Sequence, residues 1–393
     1  MPGRLLIAGG GIGGLAAALS AARAGWQAQV FEQAPAFTEV GAGVQLGPNA
    51  TRVLRALDRL DSVQAVACAP LRLLARDALS GRTLGVLPLG APFEARYGAP
   101  YLTVHRADLH AALLQGLPAQ AVSLHPGHRL LSARTLPEGV QVITAQGAPL
   151  QADALVGADG LWSVVRGAVV TDDPPGPSDH VAYRALFPVD RLPAAWQAPE
   201  VTAWLGPHLH AVTYPVRGGS LLNVVCVVRQ RLDGPRSGWE LRGIAEHLRE
   251  ALGDVCEPLQ AVVRAAPDWG LWVLHDRAPV ADAGQMALGH IALLGDAAHP
   301  MRPYLAQGAA MALEDAHALG NCLASVGDPR LDVRQALRRY ALSRWERVAR
   351  VQRHSLRNGS IFHATGPRRL ARDWVLRVTG GAQVMDLPWL YGH

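Results

Sequence analysis

The residues of this 393-residue chain that are equipped for chemistry fall into a few short clusters, the first of them a glycine turn. Gly9, Gly11 and Gly14 form a GxGxxG pattern between an apolar run and an alanine-rich run. Glycine at such positions permits a tight turn and lets backbone amides approach a pyrophosphate at a helix N-terminus. Glu32 follows eighteen residues beyond Gly14. It is placed to accept hydrogen bonds from an adenosine ribose, and its charge would repel a 2′-phosphate. This pattern alone does not separate NAD from FAD, and a glycine turn without ligand is the plain alternative.

Five further segments add reactive side chains. VGADGLWSVVR contains Asp159, Gly160, Ser163 and Arg166. The apolar strand Ile291 to Leu294 ends in GDAAHPMRPYLAQGAAMALEDA, which holds Asp296, Gly308 and Ala309. TVHRADLHAALL supplies Arg106, and GAGVQLGPNA supplies Val44 and Gln45. In GPHLHAVTYPV, strand alternation puts His208, His210, Val212 and Tyr214 on one face, with His210 and Tyr214 roughly 13 Å apart. That pair reaches opposite ends of a small ring. His208 and His210 lack a third ligand nearby, so a metal site is not expected.

In their order along the chain, and ending in WLYG at Trp389 to Gly392, these motifs resemble those of the class A, para-hydroxybenzoate-hydroxylase-fold FAD-dependent aromatic monooxygenases. Within them the chain is similar to the salicylate, 3-hydroxybenzoate and 6-hydroxynicotinate hydroxylase branch, and the likeness covers essentially its whole length. The resemblance implies FAD as cofactor and NADH or NADPH as co-substrate. It also implies that O2 hydroxylates a small aromatic acid through a flavin C4a-hydroperoxide. By the same resemblance Asp296 binds the ribitol, and the backbone at Gly308 and Ala309 meets the flavin pyrimidine edge. Asp159 and Gly160 serve flavin and nicotinamide, Arg106 contacts the cofactor, Leu130 touches adenine through its backbone, and Val44 and Gln45 lie near the ring. A helix starting near Gly308 would aim its positive end at the flavin, and Glu314 and Asp315 in its early turns agree with that polarity.

His210 is the first candidate for the base that removes a phenolic proton, and Tyr214 is the second; a structural, hydrogen-bonded histidine is the competing reading. Arg184 is suited either to an acidic substrate or to a rim ion pair. Pro303 and Tyr304 are expected to border the substrate, with Pro300 and Gln307 beside the reacting edge. Relatives that hydroxylate 3-hydroxybenzoate carry glutamine where this chain has Pro303. The 6-hydroxynicotinate enzymes carry histidines at the positions of Gln45 and Tyr304. Proline followed by tyrosine is closer to the salicylate type, which replaces a carboxylate by hydroxyl. A decarboxylating hydroxypyridine-carboxylate hydroxylase therefore stays open, as does a flavin oxidase or redox-sensing module on the same fold. A structural protein with a dead nucleotide site is disfavoured by the intact Glu32, Asp159 and Asp296.

The elements that must position these residues read as α/β. Leu5 to Ala8, the glycine turn, Leu15 to Ala24 and Trp26 to Phe31 make a βαβ unit of a Rossmann type. Residues 1–70, 98–176 and 277–393 are assigned to an FAD-binding domain built from discontinuous segments. Residues 71–97 and 177–276 are assigned to an antiparallel-sheet substrate domain, with a strand from Val201 to Val216 turning at Arg217, Gly218 and Gly219 into Leu221 to Val228. Helices are expected from about Gly308 and from about Leu331 to Ser355, the arginines of the latter forming a solvated surface.

Composition narrows the remaining classes. With 49% hydrophobic and 18% charged residues, the chain has apolar mass for a large core. The net charge of +5 is scattered, which argues against nucleic acid as partner. All 37 basic residues are arginine, so Schiff-base, pyridoxal phosphate and Walker lysine chemistry is excluded. Cys68, Cys226, Cys256 and Cys322 lack the spacings of a zinc or dithiol site, and a cytoplasmic setting fits them. No membrane span is read, and the assembly is expected to be a monomer or a homodimer.

Overall fold

A central parallel strand is covered on both faces by helices and must be apolar throughout, and Leu5, Leu6, Ile7 and Ala8 are all buried. The computed structural model describes residues 3–38, 41–230, 241–243, 245–326 and 331–392. The chain opens with β1 (Arg4–Ala8), α1 (Ile12–Arg23), β2 (Gln27–Glu32), β3 (Gly43–Leu46), α2 (Pro48–Ala56) and α3 (Leu60–Gln64). Next come β4 (Arg72–Asp77), β5 (Thr83–Pro88), α4 (Ala91–Tyr97), β6 (Leu102–His105), α5 (Arg106–Gln115) and β7 (Val122–Pro126). Strands β8 (Leu130–Leu136), β9 (Gly139–Thr144), β10 (Pro149–Ala152) and β11 (Ala154–Gly157) lead to the long β12 (Gly176–Pro188). Strands β13 (Glu200–Gly206), β14 (Leu209–Val216), β15 (Leu221–Arg229) and β16 (Leu241–Gly243) precede α6 (Ala245–Leu252), α7 (Glu257–Ala265) and β17 (Trp269–Asp276). The last part holds β18 (Ala287–Leu288), β19 (Ile291–Leu293), α8 (Gly308–Leu323), α9 (Val333–Phe362), α10 (Gly366–Val378), α11 (Ala382–Met385) and α12 (Pro388–Tyr391).

One sheet runs β18-β19-β11-β1-β2-β7, and every neighbouring pair is parallel except β18 with β19. Strand β1 pairs with β2 on one side and β11 on the other, so the chain order reverses around it. That reversal opens a crevice beyond the carboxyl end of β1, where the glycine turn sits. Helix α1 can press against α8 because Gly320 has no side chain; a Cβ there would stand 2.6 Å from Ser20 Cβ.

The second sheet, β16-β17-β12-β15-β14-β13-β4-β5, has eight strands. Its neighbours are antiparallel as expected, with one exception: β13 pairs with β4 in parallel. One face, with Tyr183, Phe187, Trp204 and Cys226, is packed under Leu248, Leu259 and Val262 of α6 and α7. Register places His180, Ala182 and Arg184 of β12 on the other face, beside Val225 and Val227 of β15. His210, Val212 and Tyr214 of β14 share that face, as does Trp272 of β17.

Two expectations need correction here. Val201 to Val216 is not one strand: Pro207 and His208 make a turn, with His208 exposed at φ 60°, so His208 leaves the face that His210 occupies. Helix α9 starts at Val333 and runs seven residues past Ser355 to Phe362. Its start is fixed by a reciprocal cap, in which Asp332 accepts from Gln335 N at 2.8 Å and Gln335 accepts from Asp332 N at 3.2 Å. Among the described residues, no helix is long and apolar enough to cross a membrane.

Candidate active site

The glycines of the first turn are required sterically. Gly9 has φ 100°, and a Cβ on it would lie 2.3 Å from Ala158 O; a Cβ on Gly14 would lie 1.9 Å from Gly9 O. Helix α1 begins after Gly11 with no side-chain cap, which leaves its first N–H groups facing the crevice. Glu32 is held at the rim by two donors, Gly10 N and Ala34 N, each at 2.8 Å. The N–H groups of Gly127 and His128 donate to the carbonyls of Ala34 and Glu32 at 2.7 and 2.8 Å, which brings Leu130 to the same end. Helix α5 closes the other side: Arg106 opens it, its N–H donating to Ala42 O at 3.2 Å, and His110 Nε2 lies 2.8 Å from Gly10 O.

At the far end, Asp159 accepts from Ser163 Oγ (2.5 Å), Val164 N (2.8 Å) and Val165 N (3.2 Å), so its carboxylate shapes its own turn, with Gly160 at φ 74°. Burial raises its carboxyl above the ordinary value. Arg166, read from sequence as following the motif, is buried and donates to the carbonyls of Ala297 (3.1 Å) and Ala298 (2.8 Å). It thereby fastens this turn to the loop that carries Asp296. The Asp296 side chain is accessible from the groove, yet protein surrounds it densely enough to raise its carboxyl, against the pull of His299 and Arg106.

The same loop is anchored from below. Asp315 accepts from Gly295 N at 3.0 Å and Arg344 Nε at 2.7 Å and lies 2.5 Å from His299 Nε2. Burial pushes Asp315 up, but the facing His299 and Arg344 outweigh it and hold its carboxyl at about 2. Glu314 is bound by Arg344 (2.7 Å), Arg347 (2.6 Å) and Asn49 (2.8 Å). The expected dipole role of Glu314 and Asp315 is therefore corrected: neither lies in the first turn of α8, and both are tied to α9 by arginines. The first turn itself is uncapped, and open space lies beside Gly308, so its N–H groups and those of Ala309 are presented outward.

A flavin dinucleotide suits this donor set. A glycine cradle that any Cβ would fill and one uncapped helix start would suit a pyrophosphate, with Glu32 held beside it as an acceptor for a ribose. Asp296 and the uncapped start of α8 stand at the opposite end of the groove, with carboxylate and N–H groups for a polyol and an electron-rich ring.

Above that end lies the site face of the eight-stranded sheet. His210 is 1% exposed, with Nδ1 at 2.7 Å from His363 Nε2 and its ring 5.2 Å from that of Tyr304. Burial, then the neighbouring His363 and His180, hold it well below the usual imidazole value. Tyr214 donates its hydroxyl proton to Gly43 O at 2.6 Å, and burial raises its phenol, so it is an orienting group rather than a ready base. Gln45 accepts from Tyr101 at 2.7 Å, with half-buried Val44 beside it on β3. Arg184 lies 4.8 Å from the Trp272 ring; its Nε is buried without a hydrogen bond, and no carboxylate among the described residues pairs with it. The rim ion-pair reading fails accordingly. Pro303 starts a short turn, and Tyr304 is buried against His210, His180 and His363, its hydroxyl without a hydrogen-bond partner among the described residues.

Sequence reasoning did not single out His363, His180 or Trp272. His180 was reachable, since it stands four residues before Arg184 and shares its face by strand alternation. His363 was not, because the helix that delivers it was ended too early.

The fold and groove define a dinucleotide-binding flavoprotein with a sheet roof, and the comparisons with known proteins agree. A model of the FAD binding domain family matches residues 4–355. The 3-hydroxybenzoate 6-hydroxylase of Polaromonas naphthalenivorans is 37% identical over 390 residues, 99% of this chain and 95% of that protein. The 6-hydroxynicotinate 3-monooxygenase of Bordetella bronchiseptica is 36% identical over 354 residues, 90% of each. A salicylate hydroxylase solved with its substrate superimposes with a TM-score of 0.82 at 26% identity, covering 100% of this chain and 96% of that one. The chain belongs to the FAD-binding family of class A flavin monooxygenases. It is an FAD-dependent aromatic hydroxylase, with NADH or NADPH as co-substrate.

Proposed function

We propose that the substrate is a single-ring aromatic acid bearing a ring hydroxyl, with its carboxylate at Arg184 and its hydroxyl at His210. The observation that carries this reading is the half-buried Arg184, whose Nε is buried without a hydrogen bond and which has no carboxylate partner among the described residues, on the same sheet face as the buried His210. They stand two strands and two residues apart, about 12 Å between Cα atoms at ordinary strand spacing, which leaves one ring between the reaching side chains. A buried cation without a counter-charge is costly, and a substrate carboxylate offsets that cost. The relatives named above act, by their names, on hydroxybenzoate and hydroxynicotinate.

FAD, when bound, supplies the oxygen-transfer chemistry. The chain's own residues do the rest. Arg184 orients the acid, Trp272 and Val225 exclude water, and His210 takes the phenolic proton so that the ring becomes a better nucleophile. Tyr214 fixes β14 to the start of β3 at Gly43 and offers its oxygen lone pairs to the pocket. Glu32, Arg106, Leu130, Asp159, Gly160, Asp296, Gly308, Ala309 and Val44 are assigned to the cofactor, and Gln45, Pro303 and Tyr304 to the pocket wall. The division into residues 1–70, 98–176 and 277–393 against 71–97 and 177–276 is supported by strand membership, since β4 and β5 join β12 to β17 in one sheet. Four free cysteines, three of them buried, suit a reducing cytoplasm.

The test is a panel of hydroxybenzoates and hydroxypyridine carboxylates, scored by stimulated nicotinamide oxidation and by product mass. A hydroxylated product from one of them is expected, and loss of the carboxyl in that product assigns the decarboxylating type. Peroxide without ring oxygenation across the panel overturns the substrate reading. Full turnover by His210→Ala overturns the role of His210.

A further inference from the structure

Resting on the reading of His210 as the base, we infer that His210, His363, His180 and Asp179 form a proton wire that carries the substrate's phenolic proton from the buried pocket to the protein surface. The contacts are continuous. His210 Nδ1 lies 2.7 Å from His363 Nε2, His363 Nδ1 lies 3.0 Å from His180 Nε2, and His180 Nδ1 lies 2.8 Å from Asp179 Oδ1. Exposure rises along the same path, from 1% at His210 to side-chain values of 14% at His180 and 33% at Asp179.

The wire has a direction that the hydrogen-bond chemistry fixes. Two groups compete for His180 Nδ1, Asp179 Oδ1 at 2.8 Å, which only accepts, and Arg302 Nη1 at 3.4 Å, which only donates; the shorter contact, to a full negative charge, outweighs the longer one and places the proton of a neutral His180 on Nδ1. Its Nε2 is then an acceptor, which requires His363 to donate from Nδ1. His363 Nε2 accepts in turn, which requires His210 to donate from Nδ1 and leaves a lone pair on His210 Nε2. One carboxylate near the surface thus sets the tautomer of a base three residues away. All three rings are held below the ordinary imidazole value, chiefly by burial, so the neutral forms that this alternation needs are the ones present at neutral pH.

The groups around the wire are consistent with an outlet. Asp179 also accepts from Arg229 Nε at 2.8 Å, and Arg302 is held mainly by Asp276, so its 3.4 Å approach to His180 Nδ1 is the weaker of the two contacts at that nitrogen. The backbone N–H of His208 donates to His363 O at 3.3 Å, and the Tyr304 ring lies against all three imidazoles. In the transfer, the substrate O–H breaks and His210 Nε2–H forms. Nδ1–H breaks and Nε2–H forms at each following junction, and the Nδ1 proton of His180 leaves through Asp179 to water. Each passage inverts the three tautomers, so an inward proton later in the cycle resets them.

The test mixes FAD-loaded enzyme with 3-hydroxybenzoate, or the panel acid turned over in its place, in weak buffer with a pH indicator. For His363→Phe, proton release is expected to slow roughly 10- to 100-fold with substrate Kd within about twofold, and imidazole is expected to restore the rate in His363→Ala. Asp179→Asn, a change near the surface, is the second variant. Because the amide can donate to Nδ1, 15N spectra of labelled histidine should show the lone pair of His210 moved from Nε2 to Nδ1. Wild-type release rates in both His363→Phe and Asp179→Asn, with His210→Ala inactive, overturn the wire and leave the base assignment standing. Wild-type rates in His210→Ala as well overturn the base assignment, and the wire with it.

Discussion

The guanidinium of Arg184 lies 4.8 Å from the centre of the Trp272 ring, where the aromatic face substitutes for the carboxylate the arginine lacks. Arg184→Met keeps much of the packing and removes the charge. A hydrogen-bonded charge contributes about 1.5–3 kcal/mol, so KM for the aromatic acid should rise about 10- to 100-fold. The flavin absorbance of the purified variant should match wild type. An unchanged KM would remove Arg184 from substrate binding.

Gly9 has no room for a side chain, at φ 100° with Ala158 O in the way. Gly9→Ala should purify colourless and recover no flavin from excess FAD, as read by visible absorbance after gel filtration. Glu32→Gln keeps the shape and loses the charge. Its FAD affinity should fall about tenfold in a fluorescence titration, a loss of about 1–1.5 kcal/mol.

His210 and His363 are kept neutral by burial, the latter at about 3. An unfolded chain protonates the same imidazoles near pH 6.5, so it binds more protons below that pH and folding stability falls with acidity. The slope for each histidine is about 1.4 kcal/mol per pH unit. Denaturant unfolding between pH 6.5 and 4 should show this decline, and His363→Phe should flatten it by one histidine's share.

Asp315 titrates lower, and its sign is that of a depressed carboxyl. Its contribution is fully present above about pH 4 and disappears as pH falls through about 2. Asp315→Asn should lower stability at neutral pH by on the order of 2 kcal/mol and lose the last acid-sensitive step. Since Gly295 N and Arg344 both bind this carboxylate, the variant should also hold FAD more weakly.

Much of this was legible in the residues because local rules act alone there. The βαβ opening was readable because apolar run, glycine turn and alanine-rich run each specify one element, and the turn leaves no alternative to glycine at positions 9 and 14. Long-range effects escaped. One local signal was passed over as well: Gly206 followed by Pro207 marks a turn, because proline cannot donate to a ladder, and Val201 to Val216 breaks into two strands there. The acidic pair after Gly308 reads as a dipole partner until Arg344 and Arg347 arrive from a helix thirty residues away. Likewise the tyrosine at 214 looked like a base because its acceptor, the Gly43 carbonyl, lies 171 positions earlier.

The parallel pairing of β4 with β13 sets Leu73 beside Val201. As the chain emerges from a ribosome, the β4–β5 hairpin must wait for well over a hundred further residues before its inner edge meets a neighbour. Until then that edge offers unpaired amides and Leu74 to any other nascent strand. Expression yield should therefore depend on translation speed and chaperone supply more than the stability of the finished molecule suggests.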